Sequence, residues 1–88
     1  MIGIYKITNL INGHQYIGQS INIGRRWKEH RCTAASGLYN EYPLYRAILK
    51  YGIENFEFSV IEECSKEELN EKERYWISYY DSYNNGYN

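Results

Sequence analysis

Residues 3–18 read GIYKITNLINGHQYIG, and the fold turns on how this stretch is read. Two near-identical tripeptides, Gly3-Ile4-Tyr5 and Tyr16-Ile17-Gly18, flank a polar segment. Residues 2–8 alternate and are rich in β-branched side chains, which predicts a strand. Asn12-Gly13 is a strong reverse-turn pair. Residues 15–19 carry Tyr16 and Ile17 and predict a second strand, closing a hairpin. Alternate strand residues share a face, so Ile2, Ile4 and Lys6 point one way and Gly3, Tyr5 and Ile7 the other. The hairpin brings the rings of Tyr5 and Tyr16 near each other. Gly3 and Gly18 remove side chains beside them, which predicts an open surface for a helix or a ligand backbone to approach.

Outward from the hairpin, Ser20 or Asn22 caps a helix over 22–35. Its inner stripe is Ile23, Trp27, His30 or Arg31, and Ala34. Ser36-Gly37 ends it. Pro43 suits the first turn of a second helix over 43–51, with Leu44, Ala47, Ile48 and Tyr51 inward. Gly52 stops that helix. Residues 55–62 set Phe56, Phe58 and Val60 against polar neighbours and predict a third strand. Ser65 followed by Glu68 is a capping-box pattern that opens a third helix over 66–80. Residues 81–88 read as a turn-rich tail. The order ββααβα predicts an α/β domain: a small three-stranded, mostly antiparallel sheet flanked by three helices.

Eighty-eight residues, 43% of them hydrophobic, predict a single domain with one modest core. Eleven tyrosines stand against two phenylalanines and two tryptophans, a residue that packs its ring and keeps a hydroxyl at the core edge. The net charge is −1, which argues against a stand-alone nucleic-acid binder. The charge is uneven. Residues 25–31 hold Arg25, Arg26, Lys28 and Arg31 against Glu29, and residues 54–73 hold eight glutamates against Lys66 and Lys72. Cys32 and Cys64 lack zinc-site spacing and predict reduced, buried thiols in a cytoplasmic protein. No apolar run approaches the roughly 20 residues that cross a bilayer.

Three features carry chemistry. Glu73 lies within the third helix's apolar stripe of Leu69, Trp76, Ile77 and Tyr80, whereas Glu67, Glu68 and Glu71 point elsewhere. A carboxylate at a core edge is paired, protonated or bound to a cation, so a salt bridge and a metal ligand are the alternatives. Arg26 and His30 are four apart and reach one ligand from one helix face. The planar fork of Arg suits phosphate, and His moves protons near neutral pH. Tyr5 and Tyr16 add two phenols.

Together these residues resemble a GIY-YIG nuclease domain over essentially the whole chain, and most closely the catalytic domains of phage-type homing endonucleases. The motif positions are GIY and YIG with Tyr5 and Tyr16, Arg26 and His30 in RRWKEH, Glu73 in EKERYWI, and Asn88 in NNGYN. The resemblance implies a DNA endonuclease. Glu73 then holds one Mg²⁺ or Mn²⁺, Arg26 binds the scissile phosphate, and Tyr5 is the general base with His30 relaying its proton. Tyr16 positions phosphate or water, and Asn88 orients the glutamate or the backbone. Arg25, Lys28 and Arg31 add phosphate contacts, and Arg25 rivals Arg26. Some members carry a further His between the first two helices, where this chain has Tyr39-Asn40. The weak positive charge predicts a monomeric fragment of a larger protein, with DNA recognition in a separate fused region. The competing readings are a silent nucleic-acid-binding module and a protein-interaction domain using Tyr79, Tyr80 and Tyr83.

Overall fold

In the computed structural model, which describes residues 1–88, the hairpin forms from β1 (Gly3–Asn9) and β2 (Gln15–Ser20). The chain reverses where Gly13 takes a left-handed φ of 78°, a conformation costly for residues with a Cβ. Its N–H donates to the Asn9 carbonyl at 2.7 Å. The third strand, β3 (Phe56–Glu63), pairs on the other side of β1. The sheet is antiparallel throughout, in the order β2-β1-β3. The long helices are α1 (Ile23–Ser36), α2 (Pro43–Tyr51) and α3 (Leu69–Tyr80). Asn22 is the cap of α1, its Oδ1 accepting from the Arg25 N–H at 3.1 Å. The Ser65–Glu68 capping box is present, in a single 3₁₀ turn that precedes α3.

Central β1 is covered on both faces, which is why its burial does not alternate. On one face Tyr5 and Ile7 join Ile23 and Ala34 of α1, Leu44, Ala47 and Ile48 of α2, and Phe56. On the other, Ile4 and Ile17 meet Leu69, with Trp76, Ile77 and Tyr80 of α3 packed around them. An ion pair ties α3 to β3, Lys72 Nζ to Glu62 Oε2 at 2.8 Å, and Trp76 Nε1 donates to Glu62 Oε1 at 3.0 Å.

Four expectations need correction. The tail is not only turns: Ser82–Asn85 form a short fourth helix, α4. Val60 is 40% exposed although it pairs with buried Tyr5. Just beyond it β3 bulges: Tyr5 faces Val60 but Ile4 faces Glu62, so Ile61 is the extra residue and packs against the cluster of Ile4, Ile17 and Leu69. The cysteines are free, but Cys32 is exposed and Cys64 half-buried. Nor do the two glycines open a surface. A Cβ on Gly3 would sit 2.2 Å from the Glu62 carbonyl oxygen, and one on Gly18 would sit 2.4 Å from Tyr5 Cζ. Each glycine makes room for the protein itself, and the ring of Tyr5 lies over Gly18. Gly18→Ala is therefore expected to push that ring out of place at a cost of about 1–3 kcal/mol, read as a lowered melting temperature.

Candidate active site

β1 and β2 place the two phenols. Tyr5 faces Gly18 across the hairpin, and Tyr16 faces Ile7. The phenols are thus diagonal rather than opposite, and their ring centroids lie 6.4 Å apart. α1 settles the choice between His30 and Arg31 for its inner stripe. His30 is 1% exposed, whereas Arg31 is exposed with its guanidinium 4.4 Å from the Phe58 ring centroid. It also separates Arg26 from Arg25 in position. Arg26 lines a cavity of about 400 Å³ with Tyr16, His30, Tyr42, Tyr45 and Tyr87, while Arg25 is exposed outside it. Lys28 is likewise exposed on α1. Arg26 also pairs with Glu29 at 3.3 Å, a contact that exposure to water makes weak.

His30 has both ring nitrogens engaged. The Tyr5 hydroxyl lies 2.7 Å from Nε2, and the Tyr45 hydroxyl 2.8 Å from Nδ1. Burial, reinforced by the positive charge of Arg26 and opposed by Glu29, lowers the His30 pKa to about 4. The ring is therefore neutral at pH 7, with one nitrogen donating and the other accepting. Burial raises the pKa of Tyr5 well above the usual phenol value; Tyr16 adds to this and Arg26 opposes it. Tyr16 is raised as well, by burial first and further by the negative charge of Glu73, with Arg26 again opposing. A free phenolate is disfavoured at either position.

The lowered His30 pKa has a consequence for stability. The folded state refuses a proton that the unfolded chain accepts below the ordinary value of 6.5. The His30 contribution is complete above pH 6.5 and is lost as pH falls toward 4, by about 3 kcal/mol in all. Glu73, with a raised pKa, works in the opposite direction. Melting curves should show a drop of about 10 °C or more between pH 7.5 and 4.5. A flat melting temperature across that window would contradict a neutral buried His30.

Glu73 comes from α3, beside the β2 edge of the sheet. It is half-buried and makes no salt bridge; Oε1 accepts from Gln19 Nε2 at 3.3 Å. Burial raises its pKa and the Gln19 bond lowers it. No group of three or more His, Cys, Asp or Glu side chains converges anywhere in the chain, so the donor set around Glu73 holds at most two such side chains. That set fits a hydrated Mg²⁺ or Mn²⁺, which takes one or two carboxylates and keeps water and phosphate as its other ligands.

Asn88 bonds the β2 backbone rather than the phenols or Glu73. Its Oδ1 accepts from the Ile17 N–H at 2.7 Å and its Nδ2 donates to the Ile17 carbonyl at 2.8 Å. Ser82 Oγ also donates to Oδ1, at 2.7 Å. The side chain imitates a neighbouring strand and holds β2 at the residue after Tyr16. The structure thus brings Tyr5, Tyr16, Arg26 and His30 together, sets Glu73 near enough for its charge to act on Tyr16, ties Asn88 to the β2 backbone, and leaves Lys28 and Arg31 exposed. It also brings in Tyr45 and Tyr87, which sequence reasoning missed. Tyr87 accepts from Asn9 Nδ2 at 3.1 Å. At the position of the family's further His, Tyr39 lines the cavity with Tyr42. Asn40 instead uses its carbonyl to accept from Arg46 Nε.

The family model of the GIY-YIG catalytic domain matches residues 1–88. Intron-associated endonuclease 1 of Enterobacteria phage T4 is 36% identical over 88 residues, covering 98% of this chain and 36% of the phage protein. This chain therefore spans about a third of the length of that relative. The solved catalytic domain of homing endonuclease I-TevI superimposes with a TM-score of 0.91 at 34% identity, over 100% of this chain and 97% of that one. A mutant form of the same catalytic domain gives a TM-score of 0.90 at 35% identity, over 99% and 91%.

Proposed function

This chain belongs to the GIY-YIG catalytic-domain family, and from that premise we propose that it is the cutting domain of a homing-type DNA endonuclease that uses one divalent cation. The observation that carries this reading is convergence. Four separate elements bring two phenols, a buried neutral imidazole, a guanidinium and an unpaired carboxylate around β2, the carboxylate near enough for its charge to act on Tyr16. Phosphodiester hydrolysis needs those groups.

Arg26, at the cavity wall, binds the scissile phosphate and meets the charge that grows on its oxygens. Tyr16, lining the same cavity, holds a phosphate oxygen or the water. Glu73 would hold Mg²⁺ or Mn²⁺, which when bound neutralises phosphate charge and supports the departing 3′-oxygen. Tyr5 takes the proton of the attacking water. It does so without becoming a phenolate when His30 Nε2, 2.7 Å away, carries no hydrogen and accepts the Tyr5 proton. Arg25 and Lys28 are exposed on α1, which supports a role for them at neighbouring phosphates. With a net charge of −1, the domain gains little affinity from the backbone alone, so target recognition belongs to a separate region. The 36% coverage of the phage relative supports that division of labour.

The test is nicking of supercoiled plasmid at low salt with Mg²⁺ or with EDTA. Nicked circles with Mg²⁺ alone are expected. Equal nicking in EDTA would remove the cation from the proposal, and no nicking at any protein concentration would leave a binding module.

A further inference from the structure

Tyr5 and His30 are both 1% exposed, and although His30 borders the cavity, neither presents a surface from which a proton passes freely to open solvent. Tyr45 does: it is half-buried and lines the open cavity. It is also the second partner of His30, at 2.8 Å on Nδ1, while Tyr5 holds Nε2 at 2.7 Å. Three groups from three elements, Tyr5 on β1, His30 on α1 and Tyr45 on α2, form one unbroken hydrogen-bonded chain from the interior to the cavity. We propose that Tyr45 is the exit of a proton relay in phosphodiester hydrolysis, an inference that rests on the nuclease reading above.

Each proton moves one place. The attacking water gives a proton to Tyr5 Oη as the Tyr5 proton passes to His30 Nε2. The proton on His30 Nδ1 passes to Tyr45 Oη, and the Tyr45 proton leaves to cavity water. The hydroxide bonds to phosphorus, the bond from phosphorus to the 3′-oxygen breaks, and that oxygen takes a proton from water. Passing the proton on spares His30 from holding a charge where it is buried beside Arg26, with Glu29 the nearest compensating anion. The neighbouring rings of Tyr16 and Tyr45, 5.6 and 5.8 Å from His30 by centroid, are neutral and cannot stabilise an imidazolium by charge. The relay requires the tautomer with hydrogen on Nδ1, and Tyr45 positions it by accepting from that N–H.

The 88-residue chain with Tyr45→Phe tests this with two readings. Nitrogen-15 spectra of the His30 ring report the tautomer without any substrate. The wild type should carry hydrogen on Nδ1, and the variant should shift toward hydrogen on Nε2. In single-turnover plasmid nicking, the variant should be about 10–100-fold slower with the DNA concentration for half-maximal rate unchanged. Tyr83→Phe, on an exposed residue that lines neither the cavity nor the hydrogen-bonded chain, should match wild type. A wild-type His30 with hydrogen on Nε2, or a Tyr45→Phe variant that nicks at the wild-type rate, overturns the relay while the nuclease reading stands. A wild type that never nicks DNA overturns the nuclease reading and the relay together, although the Tyr45 effect on the tautomer would still be seen.

Discussion

Glu73→Ala is expected to cut Mg²⁺-dependent nicking by about a thousandfold or more while leaving the melting temperature unchanged or slightly higher. Most losses of function in a domain this small come with loss of fold, so the separation is informative. Glu73 is half-buried, has no cation beside it and accepts a single 3.3 Å bond from Gln19. Burial raises its pKa, which means that its ionised form opposes folding at neutral pH. The stability comes from elsewhere on α3: Leu69, Trp76 and Ile77 against Ile4 and Ile17, and the Lys72–Glu62 pair. On the proposed reading, such an unpaired carboxylate would meet its cation when the substrate arrives. Nicking assays and thermal melts on the same preparation check both halves. A variant that nicks at the wild-type rate would end the role of Glu73, and one that unfolds would show it to be structural.

Tyr5→Phe is expected to lower the nicking rate by about 100–10,000-fold, and unlike Glu73→Ala it should also cost stability. The phenylalanine ring still fills the space over Gly18, so packing survives. What is lost is the hydroxyl, which leaves His30 Nε2 buried without its 2.7 Å partner, at about 1–3 kcal/mol. The two variants therefore separate the two sides of the site, one cheap to remove and one built into the core. Near-normal nicking by Tyr5→Phe would eliminate Tyr5 as the proton acceptor and pass that role to Tyr16, the phenol that lines the cavity.

The elements were readable because their signals lie in short windows. Alternation in residues 2–8, Asn12-Gly13, Asn22, Pro43, Gly52 and the Ser65–Glu68 box each specify backbone geometry within a few residues. Strand and helix bounds accordingly fall close to expectation, and the Pro43–Tyr51 helix matches it at both ends. That Arg26 and His30 share a helix face was also readable from their four-residue spacing, and both line the same cavity. The short α4 helix was hidden by a segment of Asn, Gly and Tyr that reads as turn.

Contacts between distant residues left no such trace. Tyr45 flanks the α2 stripe of Leu44, Ala47, Ile48 and Tyr51, and nothing in α2 alone shows that its hydroxyl reaches a histidine 15 positions earlier. Gly18 looks like an opening until the Tyr5 ring is seen to occupy it. Asn88 matches a motif position, yet its hydrogen bonds go to the backbone of Ile17, 71 residues away. The chain's own pattern thus specified its strands, helices and the inventory of reactive groups, since each follows from local geometry and residue chemistry. Packing across both faces of the sheet assigned those groups their partners and their protonation, because burial and hydrogen-bond distance exist only once the distant segments have met.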